Sequence, residues 1–458
     1  MPTTLKHFYS RAAFGMPVAS GTKSPVESLH QQSAIKPITV VALEEPNAEP
    51  TTAAGTDTEM IRQKLKKNKS DLLSLNSAWF NQLTDPQAVI REKMTFFWHD
   101  HFACRSRNAY LAQQQINTLR QHALGKFSDI LMAVSKDPAM LQFLNNQQNR
   151  KDSPNENFAR EVMELFTLGR GNYSEADIKN AARAFTGWSS NPRTGQFLVR
   201  PRQHDTDNKT FRGKSGNFSG EDIINMILED TQTARFITQK ITTFFAGEVE
   251  PGIIDSLAGD FYKSGYNIEK LLRAMYTSDW FYEQKYTGNR IKSPVELIAG
   301  IQTHTSGTFN NPLNITYLQK ALGQVLLQPP NVSGWPTGKE WIDSSSLTFR
   351  MSLPTLLFSN IESAFDAKDD GDVNNDANKA NKASRISYAV NPEVLAKKFT
   401  KASAAETLNG IEAHLLACPA TAEGKKLVSG MAGSSTTDPE FIKKAFIGFM
   451  SLPEYQLS

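Results

Sequence analysis

Apolar residues recur every three to four positions through most of this chain, and several of these runs open on an N-cap signal. That pattern constrains it to helices packed on helices. Asp85-Pro86 opens one run, in which Ile90, Met94, Phe97 and His101 follow i, i+4, i+7, i+11 and share one face, so the pattern predicts an inward His101. Ser153-Pro154-Asn155-Glu156 reads as a capping box with proline at the first helical position. The helix it predicts should end near Gly169, burying Phe158, Val162, Leu165 and Phe166 with Asn157, Glu161 and Glu164 along the border of that face. Ser174 with Asp177 repeats the capping logic ahead of Ile178, Ala181, Ala182 and Phe185. Strand-like segments are few. Phe197-Leu198-Val199 and Thr210-Phe211-Arg212 are expected to pair as one small hairpin, with Gly213, Gly216 and Gly220 supplying turns nearby. Helices resume at about Gly220 and again from about Asn391 to Tyr455, interrupted by the loop from Pro329 to Pro336, and no internal repeat is visible. The predicted fold class is mainly α, a large multi-helix core with at most a small β-hairpin.

The 458 residues suffice for one large core, and one core with appendages is the expectation. Residues 57–365 are read as the helical core carrying the candidate site. Residues 1–56 precede it as an N-terminal motif and an extended connection from Pro17 to about Thr56, with at most a short strand at Ile38 to Leu43. Residues 366–388 are read as a polar linker and 389–458 as a C-terminal helical segment packing on the core. The stretch from Asp366 to Lys382 resembles a calcium loop only superficially, because Lys368 and Ala377 stand where acidic or amide ligands are needed.

Lys and Arg total 50 against 47 Asp and Glu, and no basic run marks a phosphate-binding footprint, so nucleic acid is not an expected partner. Cys104 and Cys418 lie far apart without Cys-x-x-Cys or histidine-rich spacing, which implies neither a disulfide framework nor a zinc finger. The first fifteen residues lack the apolar stretch of a signal peptide and no window reaches the length of a membrane span, so the expected location is the cytoplasm.

Histidines and carboxylates supply the candidate site. Trp98-His99-Asp100-His101-Phe102 is the densest polar cluster within an apolar helix. Residues two apart on a helix point about 200° from each other, so His99 and His101 share one ion only if the helix ends or bends there. Otherwise one is a hydrogen-bonded core histidine and the other is exposed. Glu161 and Glu164, at i and i+3, project from the same side of a helix and suit a metal or a partnering histidine, or else a solvated helix face. His204-Asp205 sits in a loop, where Asp205 can fix the ring tautomer and Lys209 can bind an anionic group. The alternative is a turn held by aspartate bonds to the backbone. Trp335 and Trp341 form either an aromatic platform for a ligand or plugs for the core. There is no Gly-x-Ser-x-Gly elbow, P-loop or dinucleotide fingerprint, which removes support from three large enzyme classes.

Several segments together resemble a bacterial family of unknown function, DUF 1800. They are His7-Phe-Tyr-Ser-Arg-Ala-Ala-Phe-Gly15, Met94-Thr-Phe-Phe-Trp-His-Asp-His-Phe102, Pro154-Asn-Glu-Asn-Phe-Ala-Arg-Glu-Val-Met-Glu-Leu-Phe-Thr-Leu-Gly169 and Ala181-Ala-Arg-Ala-Phe-Thr-Gly-Trp188. His204-Asp205 with Lys209, Ile291-Lys-Ser-Pro-Val-Glu296, Pro329-Pro-Asn-Val-Ser-Gly-Trp-Pro336 and Pro453-Glu-Tyr-Gln456 follow in the family's order. The resemblance spans nearly the whole chain and implies no particular reaction. Many relatives look exported, whereas here the opening motif already begins at His7. The resemblance also implies a protein partner of the DUF 1501 type, a family similar to sulfatases and alkaline phosphatases.

Two functional readings follow. The leading one is a metal-assisted hydrolase or related enzyme, with His99, His101 and His204 as ligands and Glu161 or Glu164 as ligand or general base. Mixed imidazole and carboxylate donors suit zinc, manganese or iron. The alternative is a non-enzymatic helical scaffold or interaction protein whose polar residues pin helices together and whose surface meets a partner. An enzyme gathers His99, His101, Glu161 and His204 at one pocket; a scaffold spreads them through the core.

Overall fold

The computed structural model describes residues 3–18, 24, 27, 29, 35–42, 56–191, 194–359, 386–435 and 439–458. Among them are 19 α-helices and three two-stranded sheets, so packing of helix on helix builds the core, as the periodicity predicts. The capping signals act where their neighbours permit. Ser174, Ser219 and Ser293 each accept the N–H three residues on, while Asp177, Asp222 and Glu296 bond back, giving three complete capping boxes.

The box expected at Ser153 does not form. Its helix begins at Asn157, four residues later, and Ser153 instead pairs with Arg150 in an isolated bridge while Asn155 Oδ1 accepts the Asn157 N–H. The helix after Asp85 likewise starts only at Val89, because Asp85 Oδ1 binds the Gln87 N–H and holds a turn there. The single hairpin expected from residues 197 to 212 is replaced by two. Phe197–Val199 pairs with Trp188–Ser190, and Lys209–Phe211 pairs with Lys214–Gly216. Each strand takes the partner that a short turn brings back to it.

One helix organises the interior. Val89–His101 is buried around nearly its whole circumference, so its polar residues need partners inside the protein. Glu92 receives Arg120 at 2.8 Å and Trp79 Nε1 at 3.1 Å, and Lys93 donates to Glu296 at 2.6 Å. Both described chain ends enter the same apolar cluster, through Phe8 and Ala12 at one end and Tyr455 at the other. Residues 456–458 run antiparallel to 290–292, with Lys292 N to Gln456 O at 2.8 Å and Ser458 N to Arg290 O at 2.8 Å. That pairing places Lys292 and the N-terminus of the Pro294–Thr305 helix deep in the interior.

Part of the 17–56 stretch is more than a connection. Residues 35–42 form neither helix nor strand, and Ile38 and Val41 are buried against the Ala109–His122 helix. Side-chain amides substitute for a neighbouring strand. Asn117 accepts from Ile38 N and donates to Ile38 O, both at 2.9 Å, and Gln113 does the same for Val41 at 2.8 and 2.7 Å. The expected polar linker from Asp366 to Lys382 lies outside the described residues. No described helix is long and apolar enough to cross a membrane.

Candidate functional site

His99 and His101 leave the central helix in different directions, as their spacing requires, and each meets backbone. Both are buried. His99 Nε2 accepts the N–H of Leu327 at 3.0 Å, so its proton is on Nδ1, and the rings of Trp79 and Trp335 flank it at 4.9 and 5.3 Å. His101 Nε2 lies 3.1 Å from the carbonyl of Phe166, to which it must donate, and its ring stacks on Phe97. Burial pushes both rings down to about 3, so both are neutral at ordinary pH. Between them Asp100 Oδ1 accepts the Trp335 N–H at 2.8 Å, and burial pushes its carboxyl up to about 6. Gly334 permits that contact: its φ is +84°, and a Cβ there would collide with the Asp100 carboxylate. Trp335 and Trp341 are themselves buried and serve as plugs.

The other candidates stand on their own local partners. Glu161 is half-buried, its carboxyl raised by burial and by Glu164. Glu164 takes the Tyr173 hydroxyl and Arg170, which together hold it low. His204 Nδ1 donates to the Thr186 carbonyl at 2.9 Å. Asp205 is paired with Arg183 at 2.7 Å and accepts the Asp207 N–H at 2.9 Å, the aspartate turn weighed above. Lys209 is buried beneath it, giving its three N–H groups to the carbonyls of Asp205 and Asp207 and to Asn217. No donor of Lys209 is therefore left for an anionic ligand. Among the described residues no group of three or more His, Cys, Asp or Glu side chains is placed to hold a metal ion.

A different polar centre, absent from the sequence reading, lies where the Thr3–Ala12 helix, the central helix, the Arg290–Lys292 segment, and the Pro294–Thr305 and Ser344–Ser359 helices meet. Glu296, the N3 residue of its capping box, points inward rather than into solvent. Its Oε1 receives Lys93 at 2.6 Å with Arg290 Nη1 at 3.6 Å, and its Oε2 receives the Ser293 N–H at 2.8 Å. Burial alone would raise this carboxyl, yet Lys93 and Arg290 hold it far below the usual range. Lys292 donates to the Tyr455 carbonyl at 2.7 Å and lies 3.9 Å from that residue's ring centroid. Arg350 donates to the Lys292 carbonyl and to Gln456 Oε1, and Arg11 to the Tyr286 carbonyl and Asn289 Oδ1.

Five buried or mostly buried cations, Arg11, Lys93, Arg290, Lys292 and Arg350, thus lie within the electrostatic influence of Glu296, which pairs directly with Lys93 and Arg290. Burial, opposed by Glu296, pushes Lys93 down to about 8 and Lys292 down to about 7. A cavity of about 20 Å³ opens beside them, walled by Lys6, Lys93, Lys292, Glu296, His304 and His414. The sequence did carry a trace of this centre, since Arg11 sits in the segment His7 to Gly15 and both Lys292 and Glu296 in Ile291 to Glu296. What it lacked was any local sign that residues 203 apart, Lys93 and Glu296, would touch.

A family model described as Protein of unknown function (DUF1800) matches residues 7–457. No curated protein and no solved structure matches the chain.

Proposed function

The chain belongs to the DUF 1800 family, whose description carries no reaction, and from that premise we propose that it works as a non-enzymatic helical scaffold or interaction protein. The observation that carries this reading is the bond from the Leu327 N–H to His99 Nε2. A ring nitrogen whose lone pair accepts an amide proton has none to give a metal, and the other nitrogen then bears the proton. His101 ties the central helix to Phe166, Asp100 ties it to Trp335, His204 and Asp205 together tie their loop to Arg183 and Thr186, and Lys209 braces its own turn. Polar residues spread in this way fix how helices and loops sit against one another, which is what a protein presenting a fixed surface requires. The partner of the DUF 1501 type belongs to this reading as its binding protein.

Metal analysis of the purified chain beside folded His101→Ala and Glu161→Ala variants tests it. Substoichiometric metal in all three, with no rise in melting temperature on adding zinc, manganese or ferrous iron, supports the scaffold. Stoichiometric metal lost from either variant would restore the metal-assisted hydrolase with His99, His101, His204 and Glu161 at its centre.

A further inference from the structure

The buried centre around Glu296 holds more positive charge than its protein partners offset. Guanidinium groups stay protonated inside proteins, so even when both lysines are neutral Arg11, Arg290 and Arg350 outnumber the Glu296 carboxylate and the chain-end carboxyl of Ser458, which is buried against the Arg290 backbone. An unbalanced buried charge is costly, and a protein relieves it by losing a proton or by taking up a counter-ion. The donors for a counter-ion are in place. Lys93 Nζ uses one of its three N–H groups on Glu296, and Lys292 Nζ uses one on the Tyr455 carbonyl. Arg11 Nε and Nη1 and Arg350 Nη1, which lie outside the cavity lining, are buried without a hydrogen-bond partner and add charge to the centre rather than donors to the cavity. Both lysines line the cavity of about 20 Å³, which has room for one water-sized group or a little more. Gly15, at φ +117°, forms part of its wall, and a Cβ there would strike His304.

We propose that this cavity is a binding site for a small monoanion, a chloride ion or a formate-sized carboxylate, held by Lys93 and Lys292 with Lys6 at its mouth. The size of the space selects against sulfate and phosphate, whose tetrahedral oxygens need more room than it gives. Two anionic groups also line the cavity, Glu296, which is paired with Lys93 and Arg290, and the chain-end carboxyl of Ser458, and the five cations still outnumber them. Glu412 reaches toward Lys6 but is bound to Lys425 at 2.9 Å and to the Ala420 N–H, and Lys398 adds a further cation beside His304 and His414. The inference stands apart from the scaffold reading, since none of its residues is among the pins that reading uses.

The test titrates chloride, formate and sulfate into the full chain in a buffer of large organic anions at constant ionic strength. Melting temperature and calorimetric heat are the readouts. The expected result is saturable binding of chloride or formate with a matching rise in melting temperature, and no saturable heat from sulfate. Chloride alone would identify a halide site and formate alone a carboxylate site. Lys292→Met should abolish the saturable response. If that variant fails to fold, Lys6→Met, half-buried at the mouth, should raise the dissociation constant about tenfold. Sulfate stabilising as well as chloride and formate without saturation, or an unchanged response in the folded variants, would overturn the proposal by showing a general salt effect.

Discussion

Replacing Glu296 by glutamine removes the carboxylate that Lys93 and Arg290 meet in the buried cationic centre while keeping the side chain's shape. Glutamine also serves in a capping box, so the bond from the Ser293 N–H, now 2.8 Å, should survive. What disappears is the charge that Lys93 meets at 2.6 Å and Arg290 at 3.6 Å. Breaking a buried ion pair from one side costs about 3–5 kcal/mol, because the remaining charge stays buried and uncompensated. That loss is expected near pH 6, where Lys93 and Lys292, at about 8 and about 7, are protonated.

The pH dependence checks the cause. A lysine whose folded value lies below its unfolded value binds more protons when unfolded, so the wild-type chain gains stability from these groups as pH rises through 7 to 8 toward 10.5. By about pH 9 both lysines are largely neutral in either protein, and the penalty of Glu296→Gln should shrink to what Arg290 and Arg11 retain. Urea unfolding followed by tryptophan fluorescence near pH 6 and pH 9 measures both quantities. Glu296→Ala, which also loses the cap, should be worse by about 1 kcal/mol. A Glu296→Gln loss below about 1 kcal/mol near pH 6, or an equal loss at both pH values, would refute the reasoning.

Other outcomes follow from the same geometry. Gly334→Ala must accept a positive φ and displace the Asp100 carboxylate from the Trp335 N–H, which should cost about 2–3 kcal/mol in chemical denaturation, while Ser333→Ala on the exposed neighbour should change little. Asn117→Ala removes both amide bonds to Ile38, so limited proteolysis should open the 35–42 segment faster than in wild type, at a stability loss of about 1–2 kcal/mol. The buried histidines His99, His101 and His414, all at about 3, take up protons only on unfolding between that value and their ordinary 6.5. Stability should therefore be complete above pH 6.5 and fall with acid, and a folded His101→Gln variant should show a shallower fall in urea midpoint between pH 7 and pH 5.

Local rules were legible in the sequence because their physics acts within one or two helical turns. The repeat of Ile90, Met94, Phe97 and His101 did bury that face, and Ser174 with Asp177 did cap its helix, since each depends only on 3.6-residue geometry and a neighbour three residues away. The same grammar failed at Ser153, where Arg150 competed for the serine, and at Phe197, where Trp188 rather than Thr210 became the partner strand. Tertiary structure alone decided what the polar residues meet. His99 finds Leu327, Lys209 folds back onto its own turn, and Asn117 substitutes for a strand beside Ile38. The cationic centre lay furthest from the sequence's reach, because Arg11, Lys93, Lys292, Glu296 and Arg350 come from distant parts of the chain. Each alone reads as an ordinary surface charge. Their burial is imposed by the apolar faces of the helices that carry them, and only that packing gathers five cations around Glu296.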